Sequence, residues 1–148
     1  MKPTPPGWPR ISMSLYYLDP AQAIDWLRRP FGLELRLEVE GEAARIEHCE
    51  LTYGDGVVML GSPLDKAETF PYMRSPRQLD GANTQSMMVY VDDVEAHCAR
   101  ARVAGATIVK EPTTTDYGPD YWTDRGYECG DPEGHHWWFL SAAAQPGG

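Results

Sequence analysis

Ser12-Met13-Ser14-Leu15-Tyr16 and Ser86-Met87-Met88-Val89-Tyr90 stand 74 residues apart and share one pattern, with apolar positions alternating and a tyrosine at the end. Alternation at period two marks a strand with two unlike faces. Asp19 and Asp93 are separated by the same 74 residues. Each is placed to cap a helix. The first helix opens at Pro20, carries Ala23, Ile24 and Leu27 on one face, and stops near Gly32. The second follows Asp92 or Asp93 at Val94, carries Cys98 and Ala101, and stops near Gly105. A five-residue match arises easily by chance. The ordered match of strand, acidic cap, helix and glycine stop does not, so the two halves read as an internal repeat.

Strands follow each helix. Leu33, Leu35, Leu37 and Val39 alternate with Glu34, Arg36, Glu38 and Glu40. A turn at Gly41 leads into residues 43–53, and Gly54-Asp55-Gly56 turns the chain into Val57-Val58-Met59-Leu60, a strong hairpin signal. The second half repeats this order with Thr107-Ile108-Val109, a strand through Tyr127 and Cys129, a turn at Asp131-Pro132-Glu133-Gly134, and a strand from His136 to Leu140. Each half therefore reads β-α-β-β-β. The expected fold is α+β, with two βαβββ modules forming a curved mixed sheet around a shared cavity. The modules span about 10–62 and 84–142 of a single domain, joined by a linker at 62–83 and preceded by a proline-rich arm at 1–10.

A chain of 148 residues with 42% hydrophobic and 24% charged residues can build a packed core without disulfide staples. Its net charge of −9 repels phosphate backbones and anionic lipid, which argues against nucleic acid and membrane surfaces as partners. Cys49, Cys98 and Cys129 are odd in number and lack a CxxC pair, so they read as reduced, buried thiols rather than a disulfide framework or zinc ribbon. The opening MKPTPPGWPR lacks the apolar run of a secretory signal, and a cytoplasmic location is expected.

Strand alternation then sorts side chains by face. Ile11, Met13 and Leu15 should lie under the first helix, with Ser12, Ser14 and Tyr16 opposite. Met87, Val89 and Val91 should lie under the second, with Ser86, Met88 and Tyr90 opposite. Cys49 and Leu51 suit the core, leaving His48 and Glu50 on the open face. Tyr127, Cys129, Trp137 and Phe139 likewise suit the core, leaving Glu128, His136 and Trp138 facing out of it. Such a face is aromatic, hydroxylic and mildly acidic, and fits a small organic ligand. The same alternation also describes an ordinary wetted sheet face, and Trp138 equally suits packing against a second subunit. Residues 113–127, TTTDYGPDYWTDRGY, read either as a mobile loop bringing Tyr117, Tyr121 and Trp122 over the cavity mouth or as a dimer contact. His97 is expected on the surface, and His135 in a structural role beside its turn. His48 and Glu50 could be two ligands of a metal whose third is not evident. They could also be a general base and its orienting partner, with both pKa values drawn toward neutrality.

Four stretches carry a family resemblance: AIDWLRRPFGLE at 23–34, RIEHCELTYGDGVVMLGS at 45–62, VYVDDVEAHCARARVAGATIVKEP at 89–112 and DPEGHHWWF at 131–139. With them the chain resembles the vicinal oxygen chelate superfamily of glyoxalases, bleomycin-resistance proteins and dioxygenases, in its PhnB-like or bleomycin-resistance-like branch. The resemblance implies a divalent metal held by the opening and closing strand of each module. Those places fall at Ser12, at Met59 or its neighbour Leu60, at Ser86 and at Trp138, none of them His, Glu or Asp. The expectation is therefore no metal and no cofactor. The expected function is a metal-independent homodimer that binds a small, aromatic or cationic molecule, with drug sequestration as the use the resemblance suggests. The expected ligand contacts are Ser12, Ser14, Tyr16, His48, Glu50, Ser86, Met88, Tyr90, Tyr121, Trp122, Glu128 and Trp138. The alternatives are a glyoxalase-type lyase or isomerase using His48 and Glu50 or a relocated metal, and a dimeric scaffold with a vestigial cavity.

Overall fold

Each half of the chain places a capped helix directly after its first strand. In the computed structural model, which describes residues 1–64 and 70–142 apart from the side chain of Ala44, Asp19 accepts a hydrogen bond from the Gln22 amide at 3.1 Å and opens α1, Pro20–Arg28. Asp93 accepts from the Ala96 amide at 3.0 Å and opens α2, Val94–Val103. Both acids satisfy an amide that the first helical turn leaves unpaired. Gly32 and Gly105 follow the two helices with φ of +82° and +98°, the left-handed conformation that glycine adopts without a Cβ clash.

Among the described residues there are eight strands: β1 (Met13–Tyr16), β2 (Glu34–Glu40), β3 (Ile46–Tyr53), β4 (Gly56–Gly61), β5 (Ser86–Tyr90), β6 (Thr107–Asp116), β7 (Thr123–Gly130) and β8 (His136–Ala142). They form two four-stranded mixed sheets, ordered β1-β4-β3-β2 and β5-β8-β7-β6. In each sheet the module's first strand runs parallel to its last, and the other pairings are antiparallel. The fold is α+β, two βαβββ modules, lying in two units at Met1–Leu79 and Asp80–Gly148. The β3–β4 hairpin pairs Tyr53 with Gly56, so Gly54 and Asp55 form its tip, and Gly54 takes φ +56°.

In the first unit Leu15, Ala23, Ile24, Leu27, Cys49, Leu51 and Leu60 form the core between sheet and helix. In the second the core is Met87, Val94, Cys98, Ala101, Tyr127, Cys129, Trp137 and Phe139. The Phe139 ring stacks with Tyr127 at 5.5 Å and with Trp137 at 6.0 Å. All three cysteines are free and buried.

Three expectations are corrected. Ile11 is 85% exposed, because β1 begins only at Met13 and no helix covers the residues before it. His97 is 1% exposed; its Nδ1 lies 2.6 Å from the Tyr127 hydroxyl and its ring packs on Phe139 at 4.1 Å. A helical position facing a sheet is buried whatever its polarity, provided its polar atom is met. Residues 113–127 are mostly strand, since β6 runs on to Asp116 and β7 starts at Thr123. Only 117–122 connect them. The arm at 1–10 turns at Gly7 and lays Trp8 against the Arg36 guanidinium at 4.5 Å. Of the expected linker at 62–83, residues 65–69 lie outside the described residues, and Pro76–Leu79 form a short 3₁₀ turn. Among the described residues no helix is long and apolar enough to cross a membrane.

Candidate ligand-binding grooves

Register places three rungs of side chains on one face of the second sheet. Lys110, Glu128, Trp138 and Met88 pair across β6, β7, β8 and β5. Thr113, Gly126, Leu140 and Tyr90 form the next rung. Thr115 and Asp124 begin the third. This face is opposite to the one that buries Trp137 and Phe139 under α2, as strand alternation requires. The connection at 117–122 adds Tyr117, Tyr121 and Trp122, with the Trp122 ring centre 5.6 Å from that of Tyr117 and 6.3 Å from that of Tyr121. Together these residues, Glu128 excepted, wall a groove of about 590 Å³.

The groove is aromatic with few charges. The Lys110 ammonium lies 5.7 Å from the Trp138 ring centre, a cation–π contact. Asp124 is 5% exposed, and its Oδ2 accepts from the Trp122 indole N–H at 2.9 Å. Burial, and then the nearby Asp124 carboxylate, raise the Tyr90 phenol above its ordinary pKa. Gly126 keeps the floor open; a Cβ there would come within 3.0 Å of the Leu140 side chain and 3.1 Å of the Phe139 carbonyl.

The equivalent face of the first sheet carries a smaller, more polar hollow of about 380 Å³, lined by Ser14, Tyr16, Val39, His48, Met59 and Phe70 among others. Tyr16 lies over Gly61, where an added Cβ would meet its ring at 3.5 Å. Burial, and then Tyr72, raise the Tyr16 phenol. Beside the hollow the His48 Nε2 lies 3.0 Å from Glu50 Oε2, while Arg36 Nε donates to Glu50 Oε1 at 3.0 Å. Arg36 is in turn fixed by the Gly7 carbonyl and Trp8. The expected drift of the Glu50 pKa toward neutrality is corrected: the His48 hydrogen bond, with Arg36 beside it, outweighs burial and lowers it. A carboxylate doubly held in this way orients the imidazole and is a poor base.

The expected contact residues thus divide. Met88, Tyr90, Tyr121, Trp122 and Trp138 line the larger groove. Ser14, Tyr16 and His48 line the smaller hollow, with Glu50 behind His48. Ser12 precedes β1 and lines neither. Ser86 opens β5 opposite His136, and Glu128 is turned to the His136 Nδ1 at 2.9 Å. Asp124, Lys110, Thr113 and Thr115 were not among the expected residues. The signal for Asp124 was its parity with Glu128 along β7, hidden by reading 113–127 as a loop.

The residues at the family's metal positions do not fit a metal. Register sets Met59 across from Ser14 rather than Ser12, and Trp138 across from Met88 rather than Ser86. A hydroxyl, two thioethers and an indole offer no imidazole, carboxylate or thiolate donor. Among the described residues no three His, Cys, Asp or Glu side chains come together in a way that could hold an ion.

Paired βαβββ modules, each with an open sheet face walled by side chains of the strands, define the class. The model of the glyoxalase/bleomycin resistance protein/dioxygenase superfamily matches residues 11–139, and the chain belongs to that superfamily. The solved structure of TioX from Micromonospora sp. ML1 is similar at 32% identity and TM-score 0.66, over 91% of this chain and 100% of that one. TnmS3, described as an antibiotic binding protein from Streptomyces sp. CB03234, is similar at 20% identity and TM-score 0.66, over 91% of this chain and 97% of that one. A superfamily member from Burkholderia phytofirmans PsJN is similar at 16% identity and TM-score 0.65, over 89% and 98%. Among curated proteins none matches.

Proposed function

We propose that this chain is a metal-independent binding protein that, as a cytoplasmic homodimer, captures a small aromatic or cationic organic molecule and so sequesters it. The observation that carries this reading is the groove of about 590 Å³ walled by Tyr90, Tyr117, Tyr121, Trp122 and Trp138. A hollow of that size accommodates a drug-sized ligand, and rings on several sides supply stacking area with little side-chain entropy to lose. The donor set at the metal positions supports metal independence, and the antibiotic-binding description of TnmS3 supports the ligand class by likeness. Calorimetric titration with planar aromatic amines tests it, the protein first dialysed against EDTA. Saturable binding, unchanged by the dialysis and weakened at least about fivefold by Trp138→Ala, is expected from the loss of one stacking partner. Heats no larger than dilution across the panel overturn it. Light scattering should give twice the chain mass of 16.6 kDa.

The Glu50–His48 contact favours a second reading, a glyoxalase-type lyase or isomerase. Here Glu50 holds the imidazole through Nε2, and His48 moves a proton at Nδ1 within the smaller hollow. Turnover of a thiol–oxoaldehyde adduct that disappears in His48→Gln would favour it over pure binding.

A further inference from the structure

The larger groove contains a buried carboxylate that folding has paired only in part. Asp124 is 95% removed from solvent, and its Oδ1 is the one buried side-chain oxygen or nitrogen among the described residues with no donor at full hydrogen-bonding distance, the neighbouring Tyr90 hydroxyl interacting with the carboxylate only weakly. Buried carboxylate oxygens are ordinarily paired, because an unpaired one forfeits its hydration. The other oxygen, Oδ2, accepts from the Trp122 indole N–H, which fixes the carboxylate in orientation, and Asp124 is one of the residues that line the groove, with Oδ1 itself beneath the surface of its wall. The other charged group of that wall, Lys110, stands on the Trp138 rung and is held over that ring. Along β7 the two rungs are four residues apart, about 13 Å at roughly 3.3 Å per residue. The acid end of the groove is therefore separate from its cationic end, with Tyr90, Leu140 and Gly126 between.

We infer that Asp124 is the specificity-determining residue of this groove, its Oδ1 accepting a hydrogen bond from a protonated nitrogen on the ring system of the ligand. The ligand class is an aromatic cation, a fused planar ring bearing an amine or amidine nitrogen, in preference to a neutral ring of equal shape. This deepens the reading proposed above and rests on it. A hydrogen bond to a buried carboxylate is charge-assisted when the donor is a cation, and is then stronger than one from a neutral donor. The unmet oxygen weakens the free protein, a cost that the ligand removes on binding.

Asp124→Asn tests this with an almost unchanged shape. The Trp122 N–H still needs an acceptor, so the amide oxygen stays toward it and the amide NH₂ turns into the groove. An acceptor for the ligand becomes a donor against it. Calorimetry at mildly alkaline pH uses 9-aminoacridine, a cation there, and acridine, which is neutral. The wild-type chain should prefer the cation by about tenfold or more, the size of one charge-assisted bond. Asp124→Asn should lose that preference by weakening 9-aminoacridine while binding acridine, whose ring nitrogen accepts a hydrogen bond, no less tightly than wild type, and its urea midpoint should rise. Equal loss of both ligands, or an unchanged preference, overturns the role of Asp124 and leaves the groove as a binding site. Binding of neither ligand by wild type overturns the groove reading and this inference together. Should the variant not fold, a wild-type chain with no preference for the cation overturns the role of Asp124 by itself.

Discussion

Glu50 shows how one side chain can be legible in kind and misread in state. Its place on the open face of β3, next but one to His48, follows from alternation alone. That Arg36 reaches across from β2 to share it depends on register and on the N-terminal arm, neither of which the alternation contains. With the pKa lowered by His48, then Arg36, Glu50 contributes stability that is present above the ordinary glutamate pKa of about 4.3 and is lost as pH falls through the folded value. The difference in unfolding free energy between wild type and Glu50→Gln should therefore shrink as pH is lowered through the glutamate range, read as urea midpoints across a pH series. A gap that widens toward acid would show that Glu50 is not held as a carboxylate. The cysteines give a second residue-scale prediction. Burial pushes the Cys49 and Cys129 thiols up to about 12 and raises Cys98 as well. Thiolate is the reactive form. Ellman's reagent should label none of the three in the folded chain within the time that it labels all three in denaturant. A fast-reacting thiol in the native protein would contradict that burial.

At the level of elements, the readable parts were those fixed by local chemistry. The caps are the plainest case: an acid, then an apolar helical face, then a glycine, twice. Asp93→Ala should destabilise the second unit by about 1 kcal/mol, and Asp93→Ser should recover most of the loss, because the hydroxyl also accepts from the Ala96 amide. Circular dichroism melts of the three proteins check this, and an alanine variant as stable as wild type would mean the cap contributes nothing. The elements misread were those whose state depends on a partner strand. Thr113-Thr114-Thr115 has strand propensity, yet the prolines and glycines around it suggested a loop. Pairing with Asp124, Arg125 and Gly126 of β7 settles it as strand. His97 fails for the same reason. The period of α2 puts it one residue from Cys98, but only the arrival of Tyr127 on β7 supplies the hydroxyl that lets an imidazole stay buried. With that error in strand length went the site's acid, since Asp124 faces the groove only if β7 begins before it.

At the scale of the whole molecule, the charge of −9 and the single carboxylate of the groove act on different parts of one binding event. A net negative field draws a cationic ligand in from solution and raises the encounter rate, but it is screened over a Debye length of about 10 Å at 0.1 M salt. A buried contact at Asp124 is shielded from that salt and acts after arrival, on the lifetime of the complex. Stopped-flow measurements with 9-aminoacridine should therefore separate the two. Association should slow several-fold as salt rises from low to physiological strength, in wild type and Asp124→Asn alike, since the substitution removes only one of 22 acidic residues. Dissociation should be faster in Asp124→Asn at every salt concentration. Acridine, uncharged, should associate at a rate that salt does not change. If salt altered dissociation in wild type as strongly as association, the contact would be exposed at the surface, and the composition of the chain, rather than the groove, would account for its preference for cations.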